Sequence, residues 1–401
     1  MKVALGLACW LAALSVMGQE INLLTSQQQR PRRVETAPDG VPTERQDQPP
    51  RQTAEEIDDG DTVRVETQLI SVPVGVMDKS GRPIAKLKAE DFKLYEDNRQ
   101  QQITNFATTD VPFEVALMLD TSGSTRSEVA LIRRAALAFL DTLRPGDRVS
   151  ILAFNTPGEG DDSLATVEIK ARLTEDREVL RRAIEELGSS NGTPFYDALL
   201  SAADQVFKEP PTKERAGRRA LVALTDGVDS SSNSDYARAR AALAEKGLAC
   251  YFIQIDTEEF VEDRLLRDCE SDGVLHLSRT QLERYRRIFL PQSDASDYTN
   301  FCELGLFQRM RISRQLYNLA RREMNELAQS SGGMVALAKD LRDARRAFAE
   351  VAASIGTQFS LGYYPANKAR DGKYRKIRVE ARSSDGPLTV RAREGYVAPK
   401  S

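Results

Sequence analysis

The 401-residue sequence predicts an α/β protein whose main part is a doubly wound, mainly parallel β-sheet. Four short apolar runs lie between residues 113 and 255, and amphipathic helical stretches separate them. Buried strands that alternate with helices are typical of a parallel sheet covered by helices on both faces. Alternating β patterns near the N-terminus and at the C-terminus predict, in addition, a smaller β-sandwich-like domain built from both chain ends.

The first 60 residues are predicted to precede the folded part of the protein. Residues 1–18 combine Lys2, an apolar stretch and small residues at the end, which is typical of a signal peptide cleaved after Gly18. Residues 19–60 are rich in Gln, Pro, Arg and acidic residues, so they cannot bury enough apolar area to offset the entropy of ordering. We therefore expect a disordered tether and a secreted or periplasmic protein without a transmembrane segment in its mature chain.

Residues 61–110 are predicted to supply the N-terminal β part of the sandwich. Val72, Val74 and Val76 alternate with smaller or polar residues, which is the period of a strand with one buried face. Turn signals at residues 79–81 and 97–98 separate this strand from the short ones that follow.

Residues 111–356 are predicted to form the α/β domain. Buried strands are expected at residues 113–119, 148–154, 219–224 and 248–255, with a short edge strand at 167–173. The first helix is expected to place one apolar face on Val129, Ile132, Ala136, Phe139 and Leu143. Further helices are expected at residues 176–187, 195–207, 236–246 and 344–355, and a last strand at 333–338.

Residues 257–312 interrupt this alternation and are predicted to be an insertion with little regular structure before a helix at 313–330. The insertion contains Cys269 and Cys302, which could pair in an oxidising compartment or remain two free thiols, since spacing alone does not determine connectivity. Cys250 lies in an apolar run and is predicted to be a buried core thiol.

Residues 357–401 return to β patterns, with strands expected at 358–364, 374–382 and 388–396. A doubly wound sheet already covered by helices has no place for them, so we expect them to join the strands of residues 61–110 in one sandwich. Two separate small sheets are the less favoured alternative, because two or three strands alone are marginally stable.

Composition excludes several classes of function. The formal net charge is −4, and basic and acidic residues are interspersed, so there is no basic field for nucleic acid. The single histidine, His276, excludes a histidine-rich zinc site. No glycine-rich phosphate-binding motif is present, which leaves nucleotide chemistry without support.

Oxygen-bearing side chains follow the predicted strands at three places. Asp120 ends the first apolar run and opens a loop that contains Ser122 and Ser124. Thr193 lies in a Gly-Thr-Pro loop, and Asp226 follows the run at residues 219–225. Open α/β sheets place their chemistry at the carboxyl ends of the strands. Two carboxylates and three hydroxyls, with no nitrogen or sulfur, predict a site for a hard cation such as Mg²⁺ rather than zinc.

This pattern resembles the von Willebrand factor A (VWA) domain, which uses these positions as a metal-ion-dependent adhesion site (MIDAS). The resemblance spans roughly residues 61–400 and is interrupted by the insertion. Its flanks are more narrowly similar to the secreted "VWFA-related" proteins of acidobacteria. The motifs that carry this narrower resemblance are Asp-Phe-Lys-Leu-Tyr-Glu-Asp at 91–97, Leu-Gly-Tyr-Tyr-Pro at 361–365 and Gly-Tyr-Val-Ala-Pro at 395–399.

The resemblance implies a role for each candidate ligand of the metal. Ser122, Ser124 and Thr193 would bind it directly or nearly so, and Asp120 and Asp226 would act directly or through water. The implied metal is Mg²⁺, with Mn²⁺ or Ca²⁺ as alternatives. An open coordination position would accept a carboxylate from a partner protein, which makes the protein a binding module and not an enzyme.

Other interpretations of the same residues stay open. Ser122 and Ser124 could cap the helix that follows, Asp226 could form a plain turn, and Thr193 could precede a helix. Asp197 is expected in a first helical turn, where it complements the helix dipole, and Asp229, Ser230 and Ser231 are expected to be solvated loop residues rather than a rim of the site.

A metal-dependent hydrolase or phosphatase-like enzyme and a structural protein with a vestigial metal site are the alternative functions. The first lacks an obvious general acid, since position 122 is Ser rather than Asp.

Overall fold

The computed structural model describes residues 69–108, 111–122, 129–156, 165–210, 218–267, 269, 276–340, 342–383 and 386–400. The predicted signal peptide, the predicted tether and Ser124 lie outside these residues.

The secondary-structure elements alternate between strand and helix through the middle of the chain. The strands are β1 (Ile70–Met77), β2 (Phe92–Glu96), β3 (Arg99–Gln101), β4 (Asn105–Ala107), β5 (Glu114–Leu119), β6 (Arg148–Asn155), β7 (Thr166–Thr174), β8 (Arg219–Thr225), β9 (Ala249–Ile255), β10 (Met334–Ala338), β11 (Phe359–Tyr363), β12 (Tyr374–Ala381), β13 (Thr389–Ala392) and β14 (Gly395–Val397). The α-helices are α1 (Val129–Leu140), α2 (Arg177–Glu185), α3 (Phe195–Ser201), α4 (Tyr236–Lys246), α5 (Glu258–Leu265), α6 (Arg279–Phe289), α7 (Leu306–Ser331) and α8 (Ala344–Gly356).

A six-stranded sheet with the order β10-β9-β8-β5-β6-β7 forms the centre of the α/β part. All neighbouring strands in it run parallel except β6 and β7, which pair antiparallel at one edge. Every residue of β5, β8 and β9 is buried, because helices α1, α2 and α8 cover one face and α3, α4 and α7 cover the other. The predicted doubly wound, mainly parallel sheet and its edge strand are confirmed.

Local signals determine where several helices begin and end. The Asp235 carboxylate accepts a hydrogen bond from the Arg238 N–H at the start of α4, and Gly247 ends that helix with a left-handed φ of 64°.

Two helices differ from their predicted extent. Helix α1 ends at Leu140, so the predicted apolar face extends too far, and Leu143 packs on the core from the loop after the helix. The helix predicted at 195–207 is α-helical only to Ser201 and continues as a π-helix.

Two four-stranded antiparallel sheets combine strands from both ends of the described chain. Their orders are β13-β1-β11-β4 and β14-β12-β2-β3. Val72, Val74, Leu94, Phe359 and Leu361 are buried together between them. The two-residue turn at Asp97 and Asn98 has positive φ at both positions, which suits the twist of the β2–β3 hairpin. The prediction of a sandwich built from both chain ends is confirmed.

The segment 257–312 is more ordered than the sequence indicates. It contains α5, α6 and the start of α7, which begins at Leu306 rather than near residue 313. The interpretation of little regular structure is wrong because the segment has its own small core, to which Leu265, Tyr285, Phe301 and Ile312 contribute.

The cysteines take one of the two arrangements that the sequence left open. Cys269 and Cys302 form a disulfide that closes the insertion, with their Cα atoms 5.9 Å apart. Cys250 is a buried free thiol on β9, as predicted. Among the described helices, none combines the length and apolar character needed to cross a membrane.

Candidate metal centre

Asp120 lies immediately after β5, between the ends of two parallel neighbours. Its backbone N–H donates to the Leu224 carbonyl of β8 at 3.0 Å, so the residue continues the strand ladder. The side chain is fully buried. One carboxylate oxygen, Oδ1, accepts from the Ser122 N–H at 3.0 Å, and Oδ2 accepts from Thr225 Oγ1 at 2.6 Å. Asp120 is therefore held in one orientation by its own loop and by the adjacent strand.

Asp226 lies at the corresponding place after β8. Its Oδ1 accepts from the Val228 N–H at 3.0 Å, and its Oδ2 accepts from Thr257 Oγ1 at 2.6 Å. Thr257 Oγ1 also lies 2.7 Å from the hydroxyl of Tyr317 on α7. The carboxylate is thus connected to the insertion as well as to its own loop.

Sequence reasoning missed Thr257 and Tyr317. Thr257 follows β9, the neighbour of β8, so the rule that pointed to Asp120 and Asp226 could also have found it. Tyr317 lies in the middle of a helix, and no sequence signal indicates its contact with Thr257.

Thr193 is fixed by the loop that follows Asp226. Its N–H donates to Ser230 Oγ at 2.8 Å, and its carbonyl accepts from the Ser230 N–H at 3.0 Å. Asp229 is buried and accepts from the Phe195 N–H at 3.0 Å. The interpretation of Asp229 as a solvated residue is wrong, because its carboxylate joins the loop after β8 to the start of α3.

Two further contacts tie the loops of this sheet edge together. Asp197 lies in the first turn of α3 as predicted, and its carboxylate accepts from the N–H groups of Asn233 and Ser234 at 2.9 and 3.0 Å. Thr121 Oγ1 donates to the Phe154 carbonyl at 3.1 Å, and the Thr121 carbonyl accepts from the Ser190 N–H at 2.8 Å. The loops after β5 and β8, the end of β6 and the segment from the loop before α3 into its first turn therefore form one hydrogen-bonded unit.

The structure brings three of the predicted site residues to one cavity. Ser122, Thr193 and Asp226 line a cavity of about 110 Å³ at the carboxyl end of the central strands. Asp120 lies behind Ser122 and interacts electrostatically with Asp226. Ser124 lies outside the described residues.

The electrostatics of the two carboxylates fit a cation. Burial, and then repulsion from Asp226, raises the pKa of Asp120 to about 7, although hydrogen bonds from Ser122 and Thr225 oppose the shift. Burial and the negative charge of Asp226 also raise the pKa of Tyr317 well above its usual value. Two buried carboxylates that repel each other beside two hydroxyls form an oxygen-only donor set, which suits a hard divalent cation.

This shift predicts a pH dependence for the metal-free protein. Because the folded pKa of Asp120 exceeds the unfolded value of about 3.9, its contribution to stability is fully present below pH of about 4 and is lost as pH rises through about 7. We expect Asp120→Asn to remove the part of the pH-dependent loss of stability that Asp120 causes. Urea unfolding of both proteins in EDTA between pH 4.5 and 8 measures it. Parallel pH profiles would contradict the assignment.

A second cluster of possible ligands has a different explanation. Ligand atoms of Cys269, His276 and Cys302 all lie within 4.8 Å of one another. The two sulfurs are bonded to each other, so this group offers no thiolate to a metal. His276 instead stacks on Phe301, with the ring centroids 5.0 Å apart.

Comparison with known proteins agrees with this geometry. Residues 115–228, which extend from β5 to just beyond Asp226, match the family model described as the von Willebrand factor type A domain. The chain contains a VWA domain. The match includes Asp120, Ser122, Thr193 and Asp226, so the four described candidate ligands all belong to the matched region. The narrower similarity to secreted acidobacterial proteins stays a prediction.

One curated relative is similar to part of the chain. The chain is 27% identical over 126 residues to the uncharacterized protein sll0103 of Synechocystis sp., and the match covers 31% of this chain. It covers 27% of that protein, so the chain spans about a quarter of the relative's length.

Several solved structures are also similar to the chain. The conserved hypothetical protein BatB from Bacteroides thetaiotaomicron is 16% identical, with a TM-score of 0.37, over 61% of this chain and 98% of that one. A von Willebrand factor type A protein from Catenulispora acidiphila is 13% identical, with a TM-score of 0.39, over 78% of this chain and 74% of that one. The pilus adhesin SpaC from Lactobacillus rhamnosus GG is 10% identical, with a TM-score of 0.39, over 80% of this chain and 49% of that one.

Proposed function

We propose that this VWA protein binds a partner protein through a divalent metal ion, Mg²⁺ or its relatives Mn²⁺ and Ca²⁺, held at the carboxyl edge of the central sheet. Asp120, Ser122, Thr193 and Asp226 would hold the metal, together with Ser124 as the resemblance implies. The observation that carries the proposal is the meeting of Ser122, Thr193 and Asp226 at one cavity, with the buried Asp120 carboxylate behind them.

The arrangement of these side chains supports binding more than catalysis. When bound, the metal would supply a positive charge that attracts a carboxylate of the partner, since hard cations prefer carboxylate oxygen. Asp120 and Asp226 together carry two negative charges when ionised, which approximately balance a divalent ion. Each carboxylate accepts one hydrogen bond from its own loop and one from a threonine at or just after the end of the adjacent strand, so the metal-binding oxygens are positioned before any ligand arrives.

The proposal includes a location outside the cytoplasm. The predicted signal peptide at residues 1–18 implies a secreted or periplasmic protein. A disulfide between Cys269 and Cys302 is consistent with an oxidising compartment. Detection of the mature N-terminus in the periplasm or the medium of the native bacterium would test this part.

Metal titration tests the site directly. We expect calorimetry to show Mg²⁺ or Mn²⁺ binding by the wild type, and we expect Asp120→Asn and Asp226→Asn to lose it because each removes half of the compensating charge. Asp204→Asn is the matched control, since Asp204 is an exposed carboxylate on the π-helical turn after α3. The metal should also raise the melting temperature of the wild type in a concentration-dependent way.

Two outcomes would contradict the proposal. Equal heats for the wild type and Asp120→Asn would mean that the metal binds elsewhere, and no thermal shift at millimolar metal would mean that the loop after β5 only begins a helix. A pull-down from envelope extract, with and without EDTA and with Asp226→Asn in parallel, then tests whether the partner needs the metal.

A further inference from the structure

Two chemically different sets of side chains line the cavity beside the candidate metal site. One set supplies the oxygen donors Ser122, Thr193 and Asp226. The other set is apolar and comes from Val261, Leu265, Leu277 and Leu316. We call these four residues the apolar wall. Asn191 and His276, at the rim, are exposed, so the cavity communicates with solvent.

The insertion provides most of the apolar wall. Val261 and Leu265 lie on α5, Leu277 precedes α6, and Leu316 lies on α7. Leu265, Leu277 and Leu316 belong to the small core of the insertion, which holds their positions. Ser278 Oγ donates to the Ser230 carbonyl at 2.6 Å, so the wall is attached directly to the loop that fixes Thr193. The insertion therefore forms part of the cavity beside the candidate metal site.

One buried hydroxyl in the cavity has no hydrogen-bond partner among the described residues. Ser313 on α7 lines the cavity and is only 1% exposed, and its Oγ has no hydrogen-bond partner within the part of the chain that the structure describes. A buried hydroxyl without a partner is unfavourable, and native proteins usually satisfy such groups with a ligand, water or another side chain. The hydroxyl is thus available to a polar atom of a ligand next to the apolar wall.

We propose that this cavity takes an aliphatic side chain adjacent to the partner's metal-binding carboxylate, while Ser313 Oγ hydrogen-bonds to the partner's backbone. This inference rests on the proposed function and names the chemistry of the partner: an acidic residue flanked by an aliphatic one. The cavity of about 110 Å³ is somewhat smaller than the ~150 Å³ cavities that bind benzene, which favours an aliphatic side chain over an aromatic one.

Three fluorescently labelled peptides test the proposal by anisotropy with the metal-loaded full-length protein. The probes are Gly-Gly-Leu-Glu-Leu-Gly-Gly, a form with Ala in place of both Leu residues, and a form with Gln in place of Glu. We expect the Leu form to bind at least about tenfold more tightly than the Ala form, because the larger side chain buries three more carbon atoms. The Gln form, or the addition of EDTA, should abolish binding.

Two variants connect this discrimination to the cavity. Val261→Phe should fill the cavity and reduce the preference for Leu over Ala to less than about threefold, whereas Val179→Phe, at an exposed valine on α2, should leave it unchanged. Ser313→Ala should weaken the Leu peptide about fivefold, the equivalent of one ordinary hydrogen bond, without lowering the melting temperature.

The outcomes separate this inference from the proposed function. Equal affinities for the Leu and Ala peptides, or binding of neither, would overturn the inference, while the calorimetric titration of Mg²⁺ decides the metal site independently. A Leu preference that persists in Val261→Phe would also overturn it, because the aliphatic side chain would then bind somewhere else. An unchanged metal titration and melting temperature in Val261→Phe show that this variant is folded.

Discussion

Deletion of residues 357–401 is expected to yield aggregated or partly unfolded protein. Strand β1 pairs with β11 on one side and β13 on the other, and β2 pairs with β12, so the deletion removes these partners together. Val72, Val74 and Val76, which are at most 1% exposed, would then face solvent beside open strand edges. Open apolar edges of this kind promote aggregation. Size-exclusion chromatography and thermal unfolding of the purified products measure the effect.

A nicked protein provides the matched control for this deletion. Residues 366–370 form an exposed loop between β11 and β12, where a protease site can be inserted. Cleavage there breaks the chain but leaves every strand in the preparation, so the nicked protein should remain monomeric and folded. If the protein that ends at residue 356 unfolds cooperatively at the same temperature as the intact one, the two chain ends do not form one domain.

Replacement of Glu114 by alanine is expected to destabilise the protein by about 3 to 5 kcal/mol, the usual cost of leaving a buried charge without its partner. Glu114 is only 3% exposed, and its two carboxylate oxygens bind Arg148 and Arg219, each at 2.9 Å. It therefore links β5 to both of its neighbours at the start of the strands, opposite the candidate metal centre. Urea unfolding of the variant measures the loss.

A double replacement separates the lost charge from the lost packing. Glu114→Leu combined with Arg219→Met removes both buried charges, so it should recover most of the stability that Glu114→Ala loses. Arg148 is about one-third exposed in its side chain, so water can solvate it when its partner is absent. Metal titration should be unchanged in all of these variants. A loss below about 1 kcal/mol for Glu114→Ala would show that the two arginines find other partners.

The sequence indicates the central sheet well because its strands are buried on both faces. Strands β5, β8 and β9 read as continuous apolar runs, which need no information from distant residues. The strands of residues 357–401 could not be placed from their own pattern alone. Their pairing with β1 and β2 was inferred only because a sheet covered by helices has no space for them. The start and end of α4 were also predictable, because its capping residues are adjacent in sequence.

The insertion is harder to predict because its order depends on contacts between distant segments. Helix α6 carries many charged residues, and its apolar residues Leu282, Tyr285 and Phe289 pack in the small core of the insertion, to which distant segments contribute. For the candidate site, strand ends identify Asp120 and Asp226, but the bond from Thr257 and its contact with Tyr317 arise from tertiary packing. The apolar wall has the same origin, so sequence reasoning left the insertion without a role.

The sandwich also has a consequence for the order of events during synthesis. The hydroxyls of Ser71 and Ser360 lie 2.9 Å apart, although 289 positions separate the two residues along the chain. Strands β1, β2 and β4 are made long before their partners β11, β12 and β13, whereas the strands from β5 to β10 pair with nearer segments. Closure of the sandwich therefore requires that the segments on both sides of the α/β part have been made.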